Sequence, residues 1–322
     1  MILSLGGIFL IVNIQLNSGI EKIISIPEFR WQTNNQVDVM CRRAVGKGLQ
    51  TAMAAKQLGG EPFLVGFNYS INGRVMTKSL EEAGVLYDLV TVPGELPGIL
   101  RIRDKQTDKE IVFQEPEGVV SEEAVQDLIF RVLRRADNRT IAVLSGEAPK
   151  GVPERIYSSM IQDLKYLGAR TVLDSSEMLL KYGVEAAPWM VTPNLTEMES
   201  LFQTVYQREE QVIEDARKLI VHGISLVCVS MGALGALLIE RGGVWKAGPI
   251  PNLQGKAGKG AGCAMTAGLC LAAEQESPPA DMLRYGMAAA GAFLSGDIPQ
   301  TCSRLDFERM LPEISIQRLS SP

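Results

Sequence analysis

Short apolar runs rich in β-branched residues alternate along this chain with longer segments in which apolar residues recur at helical spacing. The run at residues 8–14 is too short for a helix and is typical of a buried first strand. Further strands are predicted at residues 23–26, 62–67, 85–92, 140–144, 171–173, 189–192 and 226–230. Helices are predicted at residues 45–58, 74–83, 121–136, 153–168, 214–221, 264–273 and 280–293, with two more after Asp174 and around Glu197.

Two pairs of extended runs are separated by polar or glycine turns, and both predict hairpins. One pair is residues 98–103 and 110–114, and the other is residues 236–240 and 244–247. The first hairpin interrupts the alternation of strands and helices, which indicates a flap over a sheet edge. The rest of the alternation predicts right-handed βαβ units and a mostly parallel sheet with helices on both faces.

Polar residues stand at the ends of three predicted strands. Asp174, Asn194 and Ser230 each follow directly on an apolar run. Ligands of open parallel sheets bind outside the carboxyl ends of the strands. We therefore expect these side chains to share one cleft.

A glycine-dense turn precedes the apolar segment at residues 264–273. Gly255, Gly258, Gly260 and Gly262 lie within eight residues, so the backbone there can adopt positive φ and bring its amides close to a ligand. Together with the N-terminus of the following helix, these amides outline an anion site. The turn lacks the Gly-Lys-Ser/Thr of a Walker loop. A plain structural connector is the alternative interpretation.

Composition excludes several function classes. The 322 residues are 46% hydrophobic, enough for a large core, and the net charge is −5 with a pI near 5.2. No basic run of five or more residues is present, which argues against nucleic acid as a partner. Five scattered cysteines without a CxxC pair favour a reduced, cytoplasmic protein. The apolar residues 1–20 are interrupted by glycine and asparagine and predict a strand, with no signal peptide and no membrane partner.

The single histidine, His222, precedes Gly223 at the predicted end of a helix. Its position is typical of a residue that stabilises a helix C-terminus. Ser-His-Asp catalysis and polyhistidine metal sites are therefore not expected.

Several short motifs, taken in order, resemble those of the ribokinase-like (PfkB) carbohydrate kinases. They are LNSGIE at 16–21, GKG at 46–48, AMAAKQLG at 52–59, SG at 145–146, PKGVP at 149–153, LDSS at 173–176, PNLTE at 193–197, VSMGALGA at 229–236 and GAG at 260–262. The resemblance covers nearly the whole chain. It is strongest to the branch of 1-phosphofructokinase and tagatose-6-phosphate kinase.

The resemblance implies one ribokinase-like α/β domain over residues 1–322, with a three-layer αβα core, a mostly parallel sheet and a small β lid. The lid would be formed by about residues 15–40 and 95–116. It also implies ATP-dependent phosphoryl transfer to a sugar phosphate, with ATP and Mg²⁺ as cofactors. A homodimer joined through the lids is a further implication.

The resemblance also implies roles for individual residues. Gly260, Ala261 and Gly262 would form the anion hole, and Cys263 occupies the position of the family's catalytic base. The residues implied on the nucleotide side are Asn194, Ser230, Gly232 and Gly235, and Glu197 would organise Mg²⁺ indirectly. The residues implied on the substrate side are Glu21, Gly46, Lys47, Gly48, Gln50, Arg101, Arg103 and Asp174.

The sequence departs from the family pattern where the chemistry is carried out. Cys263 stands where the family has an aspartate, Ala257 and Gly258 replace polar residues, and Val45, Gln50 and Glu21 replace a glycine, an asparagine and an aspartate. These sugar-side changes leave the identity of the sugar open.

The replacement of the aspartate by Cys263 should reduce catalysis. Aspartate, with a reference pKa of about 3.9, is ionised at neutral pH, whereas a cysteine of pKa about 8.5 is only about 3% thiolate. The helix N-terminus could lower the pKa of Cys263. Loss of a general base typically costs about 100- to 10,000-fold in rate.

Two hypotheses follow, an impaired sugar-phosphate kinase and a pseudokinase that binds nucleotide or sugar phosphate in a regulatory or assembly role. An α/β protein of unrelated chemistry is a third.

Overall fold

The structure, a computed structural model, describes residues 11–107, 109–251, 253, 258, 260–296 and 301–319. The strands are β1 (Ile11–Gln15), β2 (Gly19–Ile26), β3 (Asp38–Val45), β4 (Phe63–Ile71), β5 (Leu86–Glu95), β6 (Gly98–Asp104), β7 (Glu110–Gln114), β8 (Ile141–Ser145), β9 (Arg170–Asp174), β10 (Met190–Val191), β11 (Leu226–Ser230), β12 (Ala236–Glu240), β13 (Gly243–Ala247) and β14 (Ile316–Leu319). The helices are α1 (Lys47–Gln57), α2 (Arg74–Ala83), α3 (Glu122–Leu133), α4 (Ile156–Tyr166), α5 (Glu177–Glu185), α6 (Leu195–Phe202), α7 (Glu209–His222), α8 (Ala261–Glu274), α9 (Pro279–Ser295) and α10 (Arg304–Met310).

A large sheet forms the middle layer of the molecule. Within the described residues it has ten strands in the order β14-β13-β12-β11-β10-β9-β8-β1-β4-β5. All pairs from β11 to β5 are parallel, and β12, β13 and β14 are added antiparallel at one edge. The predicted three-layer α/β fold with a mostly parallel sheet is confirmed.

The central strands are buried on both faces. Along β8, Ile141 and Val143 belong to one cluster of buried apolar residues, while Ala142 and Leu144 belong to another. Successive side chains of a strand point to opposite faces, so the two clusters are the two sides of the sheet. Covered strands of this kind read as largely apolar runs, which is why β8, and β1 despite its Asn13, were recognisable in the sequence.

Helix α8 lies in one of these layers and is buried along almost its whole length. It packs against α9 so closely that a Cβ at Gly268 would lie 2.5 Å from the carbonyl oxygen of Tyr285. Alanine and glycine permit this approach, and their abundance explains the uncharged composition of the segment. Close packing on α9 fixes where the N-terminus of α8 lies.

A second, small sheet has the order β3-β2-β6-β7. The hairpin of β6 and β7 is antiparallel, as predicted, and β2 pairs with β6 in parallel. Strand β3 was not predicted. Its outer half is exposed and its apolar positions follow no regular alternation.

Other boundaries differ from the predictions. Helix α7 begins five residues earlier than expected and α8 begins three residues earlier. Helix α10 and strand β14 were not predicted, and β14 is a four-residue edge strand that pairs with β13. Residues 8–10 of the predicted first strand lie outside the described residues.

His222 is the last residue of α7, and Gly223 follows it with φ of +117°. The predicted position of this histidine at the end of a helix is confirmed. Among the helices that the structure describes, none has the length and hydrophobicity needed to cross a bilayer.

Candidate active site

The main cavity has a volume of about 680 Å³ and opens at the carboxyl ends of the parallel strands. Asp174 at the end of β9, Asn194 after β10 and Ser230 at the end of β11 all line it, as the sequence predicted. The predicted site residues that share this cavity are Lys47, Gln50, Asp174, Asn194, Glu197, Ser230, Gly232, Gly235, Gly260, Ala261, Gly262 and Cys263.

Lys47, the first residue of α1, lies between two carboxylates. Its Nζ is 3.1 Å from Oδ1 of Asp174 and 3.3 Å from Oε1 of Glu197. Burial alone would lower the pKa of Lys47, but the two carboxylates outweigh it and raise the pKa above its usual value. Burial raises the pKa of Glu197, and Lys47 partly offsets that rise. The lysine is therefore charged, and its charge is already paired.

The position of Glu197 is fixed by the start of α6. Asn194 caps this helix and accepts a hydrogen bond from the amide of Glu197, while the amide of Asn194 donates to Oε2 of Glu197 at 2.8 Å. This reciprocal capping box satisfies two amides that the helix leaves without partners. The second oxygen of Glu197 is left to face Lys47.

A tight turn after β11 forms another wall. The turn contains Gly232 with φ of +58° and Gly235 with φ of +101°. The amide of Met231 donates to the carbonyl of Gly235 at 2.8 Å. A Cβ at Gly235 would lie 2.1 Å from the carbonyl oxygen of Ala247, so only glycine fits there.

The N-terminus of α8 closes the cavity from the opposite side. Gly260 has φ of +114°, and a Cβ on it would lie 2.6 Å from the ring of Phe293. A Cβ at Gly262 would meet nothing within 4 Å. The first amides of a helix have no partner within the helix, so those of Gly262 and Cys263 can bind an anion in the cavity. Gly255 and Ala257, from the same glycine-dense turn, lie outside the described residues.

Cys263 is 6% exposed and makes a long contact of 3.9 Å from Sγ to Oε1 of Gln50. Burial raises the pKa of the thiol to about 12, with Asp174 adding to the rise and Lys47 opposing it. The backbone amide at the start of the helix does act to lower this pKa, but the loss of solvation outweighs it, so the pKa of Cys263 is raised and not lowered. At neutral pH the side chain is a protonated thiol and offers no base.

Three residues implied on the substrate side lie in the small sheet and do not line the main cavity. Oε1 of Glu21 accepts hydrogen bonds from Nε and Nη2 of Arg101, and Oε2 of Glu21 pairs with Arg43 at 2.9 Å. Arg101 also pairs with Glu110. Arg103, on the same strand, is half-buried. Glu21 and Arg101 are thus held in a buried ion network.

A second cavity of about 150 Å³, here called the small-sheet cavity, lies between the small sheet and the core. Its lining residues are Asn17, Ser18, Gly19, Val45, Gly46, Lys47, Pro97, Ile99, Gln114, Glu117, Gly146 and Glu147. Lys47 and Glu147 line both cavities. Gly48 lies instead against β1, where a Cβ would be 3.0 Å from Cβ of Gln15.

Glu117 and Glu147 were not singled out in the sequence. Glu147 follows Ser145 and Gly146 at the end of β8, so the rule that ligands bind at strand ends could have identified it. Glu117 carries no such signal, because its position depends on how the small sheet rests on the core.

The carboxylates near Lys47 fit a metal ion held mainly by a ligand. Among the described residues there is no group of three or more histidine, cysteine or acidic side chains that could hold a metal. Mg²⁺ in phosphoryl-transfer sites commonly takes one or two carboxylates together with phosphates and water. Asp174 and Glu197 could supply that pair.

Comparison with protein-family models identifies the chain. Residues 20–304 match the model described as pfkB family carbohydrate kinase. The chain belongs to the pfkB family. The resemblance read from the motifs is therefore confirmed.

Named relatives of this pfkB chain are 1-phosphofructokinases. That of Haemophilus influenzae is 27% identical over 286 residues, which cover 88% of this chain and 91% of the relative. That of Escherichia coli is 27% identical over 310 residues, covering 95% and 98%.

Solved structures with the same fold include phosphofructokinase-2 from Escherichia coli, with a TM-score of 0.88 and 21% identity, covering 95% of this chain and 99% of that one. A possible 1-phosphofructokinase from Thermotoga maritima has a TM-score of 0.85 and 20% identity, covering 96% and 99%. At these identities the structures support the pfkB fold alone.

Proposed function

We propose that this pfkB chain binds ATP with Mg²⁺ in the main cavity and transfers phosphate to a carbohydrate ligand only weakly, because Cys263 replaces the base. The resemblance names a sugar phosphate as that ligand. The observation that carries the proposal is the cavity itself, in which the N-terminal amides of α8 and a charged Lys47 surround one space. Phosphoryl transfer depends on such positioning and charge stabilisation.

The roles assigned by the proposal follow the walls of the cavity. Asn194, Ser230 and the glycine turn after β11 would contact the nucleotide, and the amides of Gly262 and Cys263 would bind its phosphates. Glu197 would help to hold Mg²⁺, which neutralises phosphate charge during transfer. The small sheet would act as the lid over the acceptor.

A second candidate is a pseudokinase that binds ligands without turnover. The protonated thiol of Cys263 favours it, since a group with a pKa of about 12 takes no proton from an acceptor hydroxyl at neutral pH. The pairing of Lys47 with both Asp174 and Glu197 also favours it, because a transferred phosphoryl group would have to compete with two carboxylates.

Restoring the base separates the two candidates. ADP formation is measured with Mg-ATP and a panel of fructose and tagatose phosphates and the free sugars, for the natural chain, Cys263→Asp and Cys263→Asn. For an impaired kinase, we expect Cys263→Asp to raise the rate about 100-fold or more, because a general base contributes that much. Cys263→Asn, of the same size but without the basic carboxylate, should not.

The controls define the contrary results. Thermal melts establish that each variant is folded. Measurable but equal rates for the natural chain and Cys263→Asp would refute the assignment of the base position. No turnover by any variant, with ATP still bound, would support the pseudokinase.

We further propose that the small sheet joins two copies of the chain. All five residues of β7 are exposed, Phe113 among them at 57%, and Trp31 in the β2–β3 loop is 83% exposed. A structure of phosphofructokinase-2 from Escherichia coli is described as tetrameric.

In sedimentation experiments Phe113→Lys should yield monomers, while Phe130→Lys on α3, also exposed, should leave the dimer intact. A natural chain that sediments as a monomer would refute the dimer.

A further inference from the structure

The small-sheet cavity is acidic. Glu117 and Glu147 contribute carboxylates to its lining, Asn17 and Gln114 contribute amides, and Lys47 is the one basic side chain among the described lining residues. Glu117 accepts a hydrogen bond from the side-chain amide of Asn17. The cavity thus presents mainly hydrogen-bond acceptors and negative charge.

The positive charge of Lys47 does not compensate for these carboxylates. Its ammonium group already pairs with Asp174 and Glu197 on the other side. Besides these two partners of Lys47, the lining of the small-sheet cavity adds two more carboxylates, Glu117 and Glu147. An anion that enters the small-sheet cavity meets a net negative field.

The arginine of the neighbouring strand is not available as a substitute. Arg101 is buried and is hydrogen-bonded to Glu21 and to Glu110. To bind a phosphate, Arg101 would have to give up its hydrogen bonds to two carboxylates, one of them buried with it, and breaking a buried ion pair is costly. Arg101 also does not line the small-sheet cavity.

The turn that carries Glu147 is fixed by the core. The amide of Gly146 donates to the carbonyl of Asp174 at 2.9 Å, and the hydroxyl of Ser175 donates to the carbonyl of Gly146 at 2.8 Å. Gly146 has φ of +85° and lies over Lys47. Glu147 therefore lies where both cavities meet, with an exposed side chain, and within the described part of the chain no hydrogen bond or ion pair joins its carboxylate to another residue.

From this arrangement we propose that the ligand of the small-sheet cavity is an uncharged polyhydroxy compound, a sugar or polyol without a phosphate group, and that Glu147 is the residue that excludes phosphorylated analogues. Carboxylates and amide oxygens accept hydrogen bonds from sugar hydroxyls, whereas a phosphate dianion offers them no donor and is repelled. The inference rests on the proposed function. It narrows the carbohydrate ligand to a class that differs from the sugar phosphate implied by the resemblance.

The test is a set of calorimetric titrations of the full chain at low salt with D-fructose, fructose 1-phosphate and fructose 6-phosphate. We expect the natural chain to bind fructose at least about tenfold more tightly than either phosphate. Glu147→Gln keeps the size of the side chain but removes its charge, and it should tighten binding of the phosphates about tenfold relative to binding of fructose. Added salt should narrow the difference in the natural chain, because it screens the repulsion.

Glu154→Gln is the matched control. Glu154 is exposed at the start of the segment leading into α4 and lines neither cavity, so its removal changes the net charge by the same amount without touching the ligand. It should leave all three affinities unchanged. If it tightens phosphate binding as much as Glu147→Gln does, the effect belongs to overall charge and the proposal is overturned.

Two other results would overturn the proposal. One is a natural chain that binds a fructose phosphate as tightly as fructose, with no response to Glu147→Gln. The other is a chain that binds Mg-ATP but none of the three sugars, which would leave the proposed nucleotide site standing. A chain that fails to bind Mg-ATP would instead refute the proposed function, and the same instrument distinguishes these cases.

Discussion

The two sides of the main cavity present different chemical groups to a ligand. The side around α8 and the turn after β11 is made of backbone, with Gly235 and Gly260 in positive φ and helix amides directed at the ligand space. The side around Lys47 is made of side-chain charge, with Asp174 and Glu197 paired with its ammonium group and Glu147 lining the same cavity. The position of the backbone groups is fixed by the fold. The charged groups belong to individual side chains, so a single substitution can change them.

Cys263 lies where the two sides meet and illustrates the difference. Its amide belongs to the first turn of α8 and is set by the packing of that helix on α9. Its thiol packs as a small buried group and carries no charge at neutral pH. A substitution at this position therefore alters the chemistry of the cavity without altering the anion site made by the backbone.

The largest effect is expected on the reactivity of the Cys263 thiol, which tests how the two sides of the cavity differ. A thiol with a pKa of about 12 has about 1,000-fold less thiolate at pH 8 than one at the ordinary value of 9.0, so iodoacetamide should label it about 1,000-fold more slowly than it labels the unfolded chain. Labelling of the peptide that contains Cys263 is followed by mass spectrometry against pH.

The pH dependence has a definite sign. Because the folded-state pKa of Cys263 is raised, the stability that its protonated thiol contributes is complete below pH 9 and is lost as the pH rises from about 9 to about 12. The labelling rate should therefore still be rising above pH 9. Rapid labelling of the folded chain at pH 7 would mean that the thiol is activated. It would contradict the description of Cys263 as an uncharged side chain whose backbone alone contributes to the anion site.

A smaller effect is expected from two glycines of the backbone side. Gly260→Ala should destabilise the fold by about 2–4 kcal/mol, because the new methyl group collides with Phe293 at a strained positive φ. Gly262→Ala meets no neighbouring atom and should raise stability by about 0.5–1 kcal/mol, as alanine does in a helix. Urea unfolding measures both. Equal effects would show that the turn is not held as described.

The smallest effect is expected at the cap of α6. Asn194→Ala removes the side-chain cap and should lower the free energy of unfolding by about 1 kcal/mol, and it should also weaken nucleotide binding by freeing Glu197. Ser121→Ala is the matched control, since Ser121 caps α3 away from both cavities. It should cost similar stability and leave nucleotide binding unchanged. A loss of nucleotide affinity in both variants would attribute the effect to stability alone.

The sequence predicted best what depends on neighbouring residues. Apolar runs revealed β1 and β8, glycines marked the start of α8, and polar residues at strand ends predicted the main cavity. Strand β3 was missed because its outer half is exposed and its apolar positions do not alternate. Strand β14 was missed because it is only four residues long and pairs with β13, a strand distant in sequence. Helix α10 was missed as well.

The electrostatics of the site could not be predicted from residues that are neighbours in the sequence. Local reasoning gave the helix dipole as the influence on Cys263, but burial among residues distant in sequence decides its pKa. The pairing of Lys47 with Glu197 joins residues that are 150 positions apart. Glu117 and Glu147 become candidate ligand-binding residues only because the small sheet packs against the core and places both in one cavity.

The central proposal is that the backbone side binds nucleotide although Cys263 stands at the position proposed for the base. Calorimetric titration of the natural chain with Mg-ATP tests it most directly. The account predicts one saturable site per chain with a dissociation constant between about 1 μM and 1 mM, the range in which enzymes commonly bind their substrates. Absence of saturable binding by the folded natural chain would contradict it.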